Sequence, residues 1–213
     1  MREARKLTVI FEAILCSLGL MVFSFFIQYK FPVRLISFSA LLISAIIIAR
    51  NLRSPADIKK ITGENISLKI TLLYTISGIG LGIALAVCYR RYLGISLFPD
   101  SLHRFVVVAA LIGCMEELVF RGFLQGHVEY INGPISILFG TLSHTGYKCC
   151  LFLSPVITAD VDLRILVFFT FIAGLLFGAT RYLSKSILPA LSAHALFDIL
   201  VYAGYISAPW WVW

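Results

Sequence analysis

Apolar stretches long enough to cross a lipid bilayer recur from one end of this chain to the other. A hydrocarbon core about 30 Å thick requires about 20 apolar residues in an α-helix. The sequence offers seven such stretches, which predicts an all-α fold, a polytopic transmembrane helical bundle of about seven spans. They are the run up to about Tyr29, Val33 to Ala49, Leu68 to Tyr89, the runs after Arg104 and after Pro134, the run between Arg164 and Arg181, and Ile187 to about Tyr205.

The composition excludes a water-soluble globule. Of the 213 residues, 60% are apolar and 14% are charged, against roughly 45–50% and roughly 25% in ordinary soluble domains. The mean hydropathy is +0.93. The net charge of +7 comes from Lys and Arg residues that are scattered along the chain, so no nucleic-acid partner is expected and the cations are predicted to mark span ends. The five cysteines are predicted to be reduced packing residues.

Loop composition predicts how the spans are connected and oriented. The polar segment 50–60 contains Pro55 and is predicted to be a solvent-facing loop. If the N-terminus is cytoplasmic, eleven of the 18 Lys and Arg residues lie on that side, which favours this orientation. Three tryptophans among the last four residues predict an interfacial anchor. Gly174 and Gly178 predict a close contact between helices.

Ionisable side chains inside the predicted spans are the candidate functional residues. Each costs about 2.5–3.5 kcal/mol to insert into the membrane, so its presence requires a reason. Glu117 and Arg121 are four residues apart, a spacing that lets their side chains pair on one helix face. Glu116 points about 100° away from Glu117 and is predicted to face another group. The candidate site residues are Glu116, Glu117, Arg121, His144, His194 and Asp198.

Three of these residues are predicted to lie at a similar depth in the membrane. At 1.5 Å per residue, Glu116 lies about 18 Å from Arg104, or about 12 Å from the far side of the core. His194 lies about 13 Å from Lys185 on that same side. His144 lies about 18 Å into the fifth span, which agrees less closely. We expect them to meet in a polar cavity nearer one membrane face.

His194 and Asp198 share one helix face because they are four residues apart. They could form a hydrogen-bonded polar seam between helices. The interpretation that we favour is a water-filled site in which a carboxylate and imidazoles activate water, the groups that peptide hydrolysis requires.

Three segments of the chain match motifs in the same order. They are Glu116-Glu117-Leu-Val-Phe-Arg121, Phe139-Gly-Thr-Leu-Ser-His144 and His194-Ala-Leu-Phe-Asp198. These segments resemble the Glu-Glu-x-x-x-Arg, Phe-x-x-x-His and His-x-x-x-Asn/Asp motifs of the CAAX-protease and bacteriocin-processing family of intramembrane proteases. The second motif has one extra residue here, so the match rests on His144 and not on Phe139. The resemblance covers the predicted catalytic core, 105–205, of a single domain, whereas 1–104 contains spans without a motif.

The resemblance implies an intramembrane endopeptidase of the glutamic or metallo type in a prokaryotic cell membrane. Its substrates would be lipid-anchored or membrane-tethered proteins or peptides, such as prenylated C-termini, leader peptides or C-terminal sorting tails. The implied roles are Glu116 as general base, His144 as a holder of the attacking water, His194 and Asp198 as supports of the oxyanion or scissile carbonyl, and Glu117 and Arg121 as orienting residues.

Metal content and function class remain open on the sequence alone. Glu116, His144 and His194 could bind zinc, but the chain has no His-Glu-x-x-His spacing, so we expect metal-free catalysis without a cofactor. A non-catalytic scaffold of the same family is an alternative function. A small proton-coupled transporter is another, although we find no paired halves or matching broken helices. The substrate and the oligomeric state are not predicted.

Overall fold

The chain folds into a bundle of helices. A computed structural model describes residues 2–63, 67–156 and 161–206. Within these ranges there is no β-strand, and the predicted all-α fold is confirmed. The C-terminal tryptophans lie outside the described residues. The α-helices are α1 (Arg2–Phe26), α2 (Arg34–Asn51), α3 (Pro55–Thr62), α4 (Leu68–Tyr92), α5 (Phe105–Glu117), α6 (Gly126–Glu129), α7 (Gly133–Leu153), α8 (Leu163–Ser184) and α9 (Leu188–Tyr202), and a π-helical segment (Leu118–Gln125) joins α5 to α6.

The length and composition of several helices suit a membrane. Among the described residues, four stretches are long and apolar enough to cross it, and α9 is a shorter apolar helix. Large apolar side chains on their outer faces, such as Leu72, Leu73 and Ile76 of α4, are exposed, as expected for surfaces that lipid covers. The protein is a multi-pass membrane protein, and the number of seven spans stays a prediction. The four stretches are Arg5–Phe26, Arg34–Asn51, Leu68–Tyr92 and Leu163–Ser184.

The prediction of a loop over 50–60 is wrong in part, because α3 begins within it. Ser54 caps this helix by accepting a hydrogen bond from the Asp57 backbone N–H, while the Asp57 side chain accepts one from the Ser54 N–H. Pro55 occupies the first turn, where its missing N–H costs nothing. A capping box of this kind starts a helix even in a short polar segment.

Small residues bring α4, α5 and α9 close together. A Cβ added at Gly78 would collide with the backbone of Pro189, and one at Gly82 would collide with the backbone of Ala193. A Cβ at Gly113 of α5 would lie 2.9 Å from His194 Cδ2. Small residues are the usual means of close helix contact in membranes. Here they place α9 against both neighbours at the level of His194.

The π-helical segment packs against α8 through the two glycines, Gly174 and Gly178, for which the sequence predicts a close contact. A Cβ at Gly174 would lie 3.1 Å from Arg121 Nη2, and one at Gly178 would lie 3.0 Å from Gln125 Oε1. Gln125 Nε2 also donates a hydrogen bond to the Gly178 carbonyl at 2.9 Å. The predicted close contact is confirmed, and it packs Arg121 and Gln125 tightly between helices.

Backbone contacts near the start of α9 fix the level at which this helix begins. Lys185 adopts a left-handed conformation with φ of 52°, which ends α8. The Ile187 N–H then donates to the Thr62 carbonyl at 3.0 Å, which ties this turn to the end of α3. α9 begins immediately afterwards, and His194 follows within its second turn.

Candidate active site

Glu117 and Arg121 form the buried centre of the site. Arg121 Nη1 donates to Glu117 Oε1 at 2.8 Å, and both side chains have 0% exposure. The predicted pair therefore forms, although the helix is π-helical from Leu118 onward. Burial of an ion pair is tolerated when further hydrogen bonds satisfy its remaining groups. Two histidines from separate helices contact Arg121 Nη1 and Glu117 Oε1, whereas Glu117 Oε2, Arg121 Nε and Arg121 Nη2 are buried without a hydrogen-bond partner among the described residues.

His144 of α7 connects this pair to Glu116. Arg121 Nη1 lies 2.9 Å from His144 Nδ1, and His144 Nε2 lies 3.0 Å from Glu116 Oε2. A guanidinium only donates hydrogen bonds, so His144 Nδ1 must be the acceptor. We therefore assign the ring proton of His144 to Nε2, which donates it to the Glu116 carboxylate. Phe120 packs against this ring with the centroids 4.7 Å apart and holds its orientation.

His194 of α9 reaches the same carboxylates from the opposite side. Its Nδ1 lies 2.7 Å from Glu117 Oε1. A carboxylate accepts, so Nδ1 carries a proton and Nε2 of the neutral ring is left with a lone pair. That Nε2 lies 3.8 Å from Glu116 Oε2 and 3.7 Å from Asp198 Oδ2. Both distances are too long for direct hydrogen bonds and are suited to a bridging water.

The structure thus brings all six predicted residues into one cluster. Glu116, Glu117, Arg121, His144, His194 and Asp198 are all buried. The expectation that Glu116, His144 and His194 share one depth agrees with their separations of 3.0 and 3.8 Å. Asp198 lies at the edge of this cluster, since its Oδ2 is 3.7 Å from His194 Nε2.

Lys148 is the site residue that the sequence analysis missed. Its Nζ lies 2.5 Å from Glu116 Oε1, and its side chain is 25% exposed. A signal was available, because Lys148 lies inside a predicted span and follows His144 by four residues, one turn along the same helix face. The sequence alone did not show that this face points toward Glu116.

Two spaces adjoin the cluster. The larger is a cavity of about 520 Å³ whose lining includes His144, Lys148, His194 and Asp198. Aromatic side chains line other parts of it, among them Tyr89, Phe169 and Tyr202. The smaller, of about 290 Å³, is lined by side chains of α1, α5, the π-helical segment and α7, and it includes Glu116. Glu116 thus lines the smaller space, whereas its partners His144, Lys148 and His194 line the larger one.

The donor atoms do not suit a zinc ion. Zinc binding through His144 Nε2 would require a lone pair on that nitrogen and an acceptor opposite Nδ1. Nδ1 instead faces the Arg121 guanidinium, and the Lys148 ammonium group already contacts Glu116. Among the described residues, no group of three His, Cys, Asp or Glu side chains is arranged to hold a metal.

Comparison with known proteins identifies the region that carries this site. Residues 98–200 match the family model described as type II CAAX prenyl endopeptidase Rce1-like. The matched range contains the whole cluster and begins seven residues before the predicted core, 105–205. No curated protein and no solved structure matches the chain.

Proposed function

We propose that the protein is an intramembrane endopeptidase that uses glutamate-activated water. The match of residues 98–200 to the Rce1-like CAAX endopeptidase model supports intramembrane protease activity in general. The proposed substrate is a lipid-anchored or membrane-tethered protein or peptide, cut near the membrane surface. The proposed partners are this substrate and the surrounding lipid.

One observation carries the proposal: His194 Nε2 faces the carboxylates of Glu116 and Asp198 across distances longer than a hydrogen bond, and we call the space between these atoms the water gap. His194 Nε2 lies 3.8 Å from Glu116 Oε2 and 3.7 Å from Asp198 Oδ2. A water held there would have enough polar partners to be ordered. His194 and Asp198 both line the cavity in which a peptide bond could lie.

The proposed reaction begins when this water transfers a proton to Glu116 and attacks the carbonyl carbon of the peptide bond. The carbonyl oxygen becomes an oxyanion. Glu116 then passes the proton to the nitrogen of the leaving amine, and the C–N bond breaks. The products are a new carboxylic acid and a new amine, and transfer of the acid proton to the amine gives a carboxylate and an ammonium group, so the atoms of one water molecule and one peptide bond are accounted for.

Hydrogen bonding favours an exchange of the two histidine roles that the family resemblance implies. His144 presents an N–H at Nε2 beside Glu116, which suits it to donate to an oxyanion. His194 presents a lone pair at Nε2, which suits it to hold the water. Glu117 and Arg121 orient these rings because Glu117 fixes His194 and Arg121 fixes His144.

A comparison of membrane proteomes tests the proposal and identifies the substrate in the same experiment. Cells that carry the wild-type protein are compared with cells that carry Glu116→Ala. We expect at least one membrane-associated protein to accumulate at full length in the variant. Identical proteomes, with both proteins present at equal levels in the membrane, would contradict the proposed activity.

A further inference from the structure

We infer that Lys148 is a positioning residue of the site: its ammonium group holds Glu116 Oε1 and so presents Oε2 to the water gap. This inference rests on the proposed function. It concerns a residue outside the three motifs, which end at Arg121, His144 and Asp198.

The two oxygens of Glu116 have different surroundings. Oε1 contacts Lys148 Nζ at 2.5 Å, whereas Oε2 contacts His144 at 3.0 Å and faces His194 at 3.8 Å. A carboxylate held at one oxygen only could rotate about its terminal bond, since such torsions are broad. Contacts from two successive turns of α7 fix both oxygens instead.

Lys148 is the charged residue that is positioned to hold Glu116 Oε1. Arg121 is engaged by Glu117 and His144, and His144 in its assigned form is neutral. Among the ion pairs of the described residues, Lys148 is the permanently charged partner in direct contact with Glu116. Without it, a carboxylate with 7% exposure would have to remain ionised with hydrogen bonds from a neutral ring.

The position of Lys148 also makes it accessible from the cavity. Its side chain is 25% exposed, compared with 5 to 9% for His144, Glu116, His194 and Asp198. Lys148 lines the larger cavity, whereas Glu116 lines the smaller groove. A small ammonium ion that enters the cavity could therefore reach the space vacated by a shortened side chain.

The test uses the substrate that accumulates in Glu116→Ala cells and compares Lys148→Met, Lys148→Ala and Lys148→Arg with the wild type. Lys148→Met keeps the aliphatic stem and removes the charge. We expect its processing rate to fall about 100-fold, as a displaced catalytic group would cause, with at least tenfold recovery in Lys148→Arg. Lys185→Ala is the matched control, because Lys185 also pairs with a glutamate, Glu129, but lies outside the cluster.

Chemical rescue distinguishes positioning from a merely structural role. Methylammonium and ethylammonium, added to membranes that contain Lys148→Ala, should raise the processing rate at least tenfold, and they should restore nothing in Glu116→Ala membranes. Wild-type processing rates in Lys148→Met would overturn the inference, and so would a loss that neither arginine nor an alkylammonium ion relieves. A failure of the proposed function would look different, because no substrate would then accumulate in Glu116→Ala cells.

Discussion

At the residue scale, we predict that two adjacent glutamates have separate roles, catalytic for Glu116 and structural for Glu117. Glu116→Gln should lower the processing rate by at least about 100-fold, since general bases contribute 10²- to 10⁴-fold, and should destabilise the protein less than Glu117→Gln does, because its charged partner Lys148 is 25% exposed. Glu117→Gln should lower the unfolding free energy by about 3–5 kcal/mol, because it leaves the buried Arg121 charge uncompensated. Asp100→Asn is the control, since Asp100 is exposed and lies outside the cluster. Equal losses of stability in Glu116→Gln and Glu117→Gln would contradict this division.

Metal-independent catalysis is a second prediction at this scale, and it rests on the orientation of one ring. With His144 Nδ1 facing Arg121, its Nε2 is occupied by a proton. We therefore expect processing in isolated membranes to survive exhaustive treatment with EDTA and 1,10-phenanthroline. This prediction would be contradicted if the purified protein contained stoichiometric zinc, and if activity were lost when the zinc is removed and regained when it is restored.

The sequence predicted part of the site at this scale. The pairing of Glu117 with Arg121 follows from a spacing of four residues, and the separate direction of Glu116 follows from helical geometry. The proton position on His144 could not be predicted, because it depends on a contact with Arg121 across 23 residues of sequence. Lys148 could not be assigned to Glu116 for the same reason.

At the scale of elements, close packing of α4 against α9 is predicted to control the position of His194. Gly82→Ala should reduce both processing and thermal stability, because its Cβ would collide with the Ala193 backbone. Gly80→Ala on the same helix should be neutral or slightly stabilising, since a Cβ there meets nothing within 4 Å and alanine favours helices. Both variants are compared by unfolding in detergent and by substrate processing. Equal behaviour of the two would refute the packing argument.

The elements also show where sequence patterns reach their limit. The start of α3 follows a readable capping box, Ser54 to Asp57, but the polar composition of the segment obscured it. The π-helical segment Leu118–Gln125 has no comparable signal in the sequence, and it packs closely against glycines of α7 and α8 that are distant along the chain. Such segments often occur at functional sites.

At the scale of the whole molecule, the bundle is predicted to place its two termini on opposite sides of the membrane. Seven spans require this, and the excess of cations on one side predicts a cytoplasmic N-terminus. Reporter fusions to each terminus test both statements: a cytoplasmic reporter should be active at the N-terminus and inactive at the C-terminus. Activity at both termini would require an even number of spans.

The membrane environment and the all-α bundle could be predicted from the sequence, since hydropathy and the length of apolar runs reflect the solvent directly. The number of spans is harder, because α7 and α9 carry polar site residues and α9 is short. The same polar residues that identify the site lower the hydropathy of these helices.

The most direct test of the central claim is product analysis by mass spectrometry after processing in water enriched in ¹⁸O. Membranes with the wild-type protein should yield a product whose new C-terminal carboxylate carries one ¹⁸O atom, because the attacking oxygen comes from water. Membranes with Glu116→Gln should yield about 100-fold less of that product. Labelled product from Glu116→Gln at the wild-type rate would contradict glutamate-activated water, as would unlabelled product from the wild type.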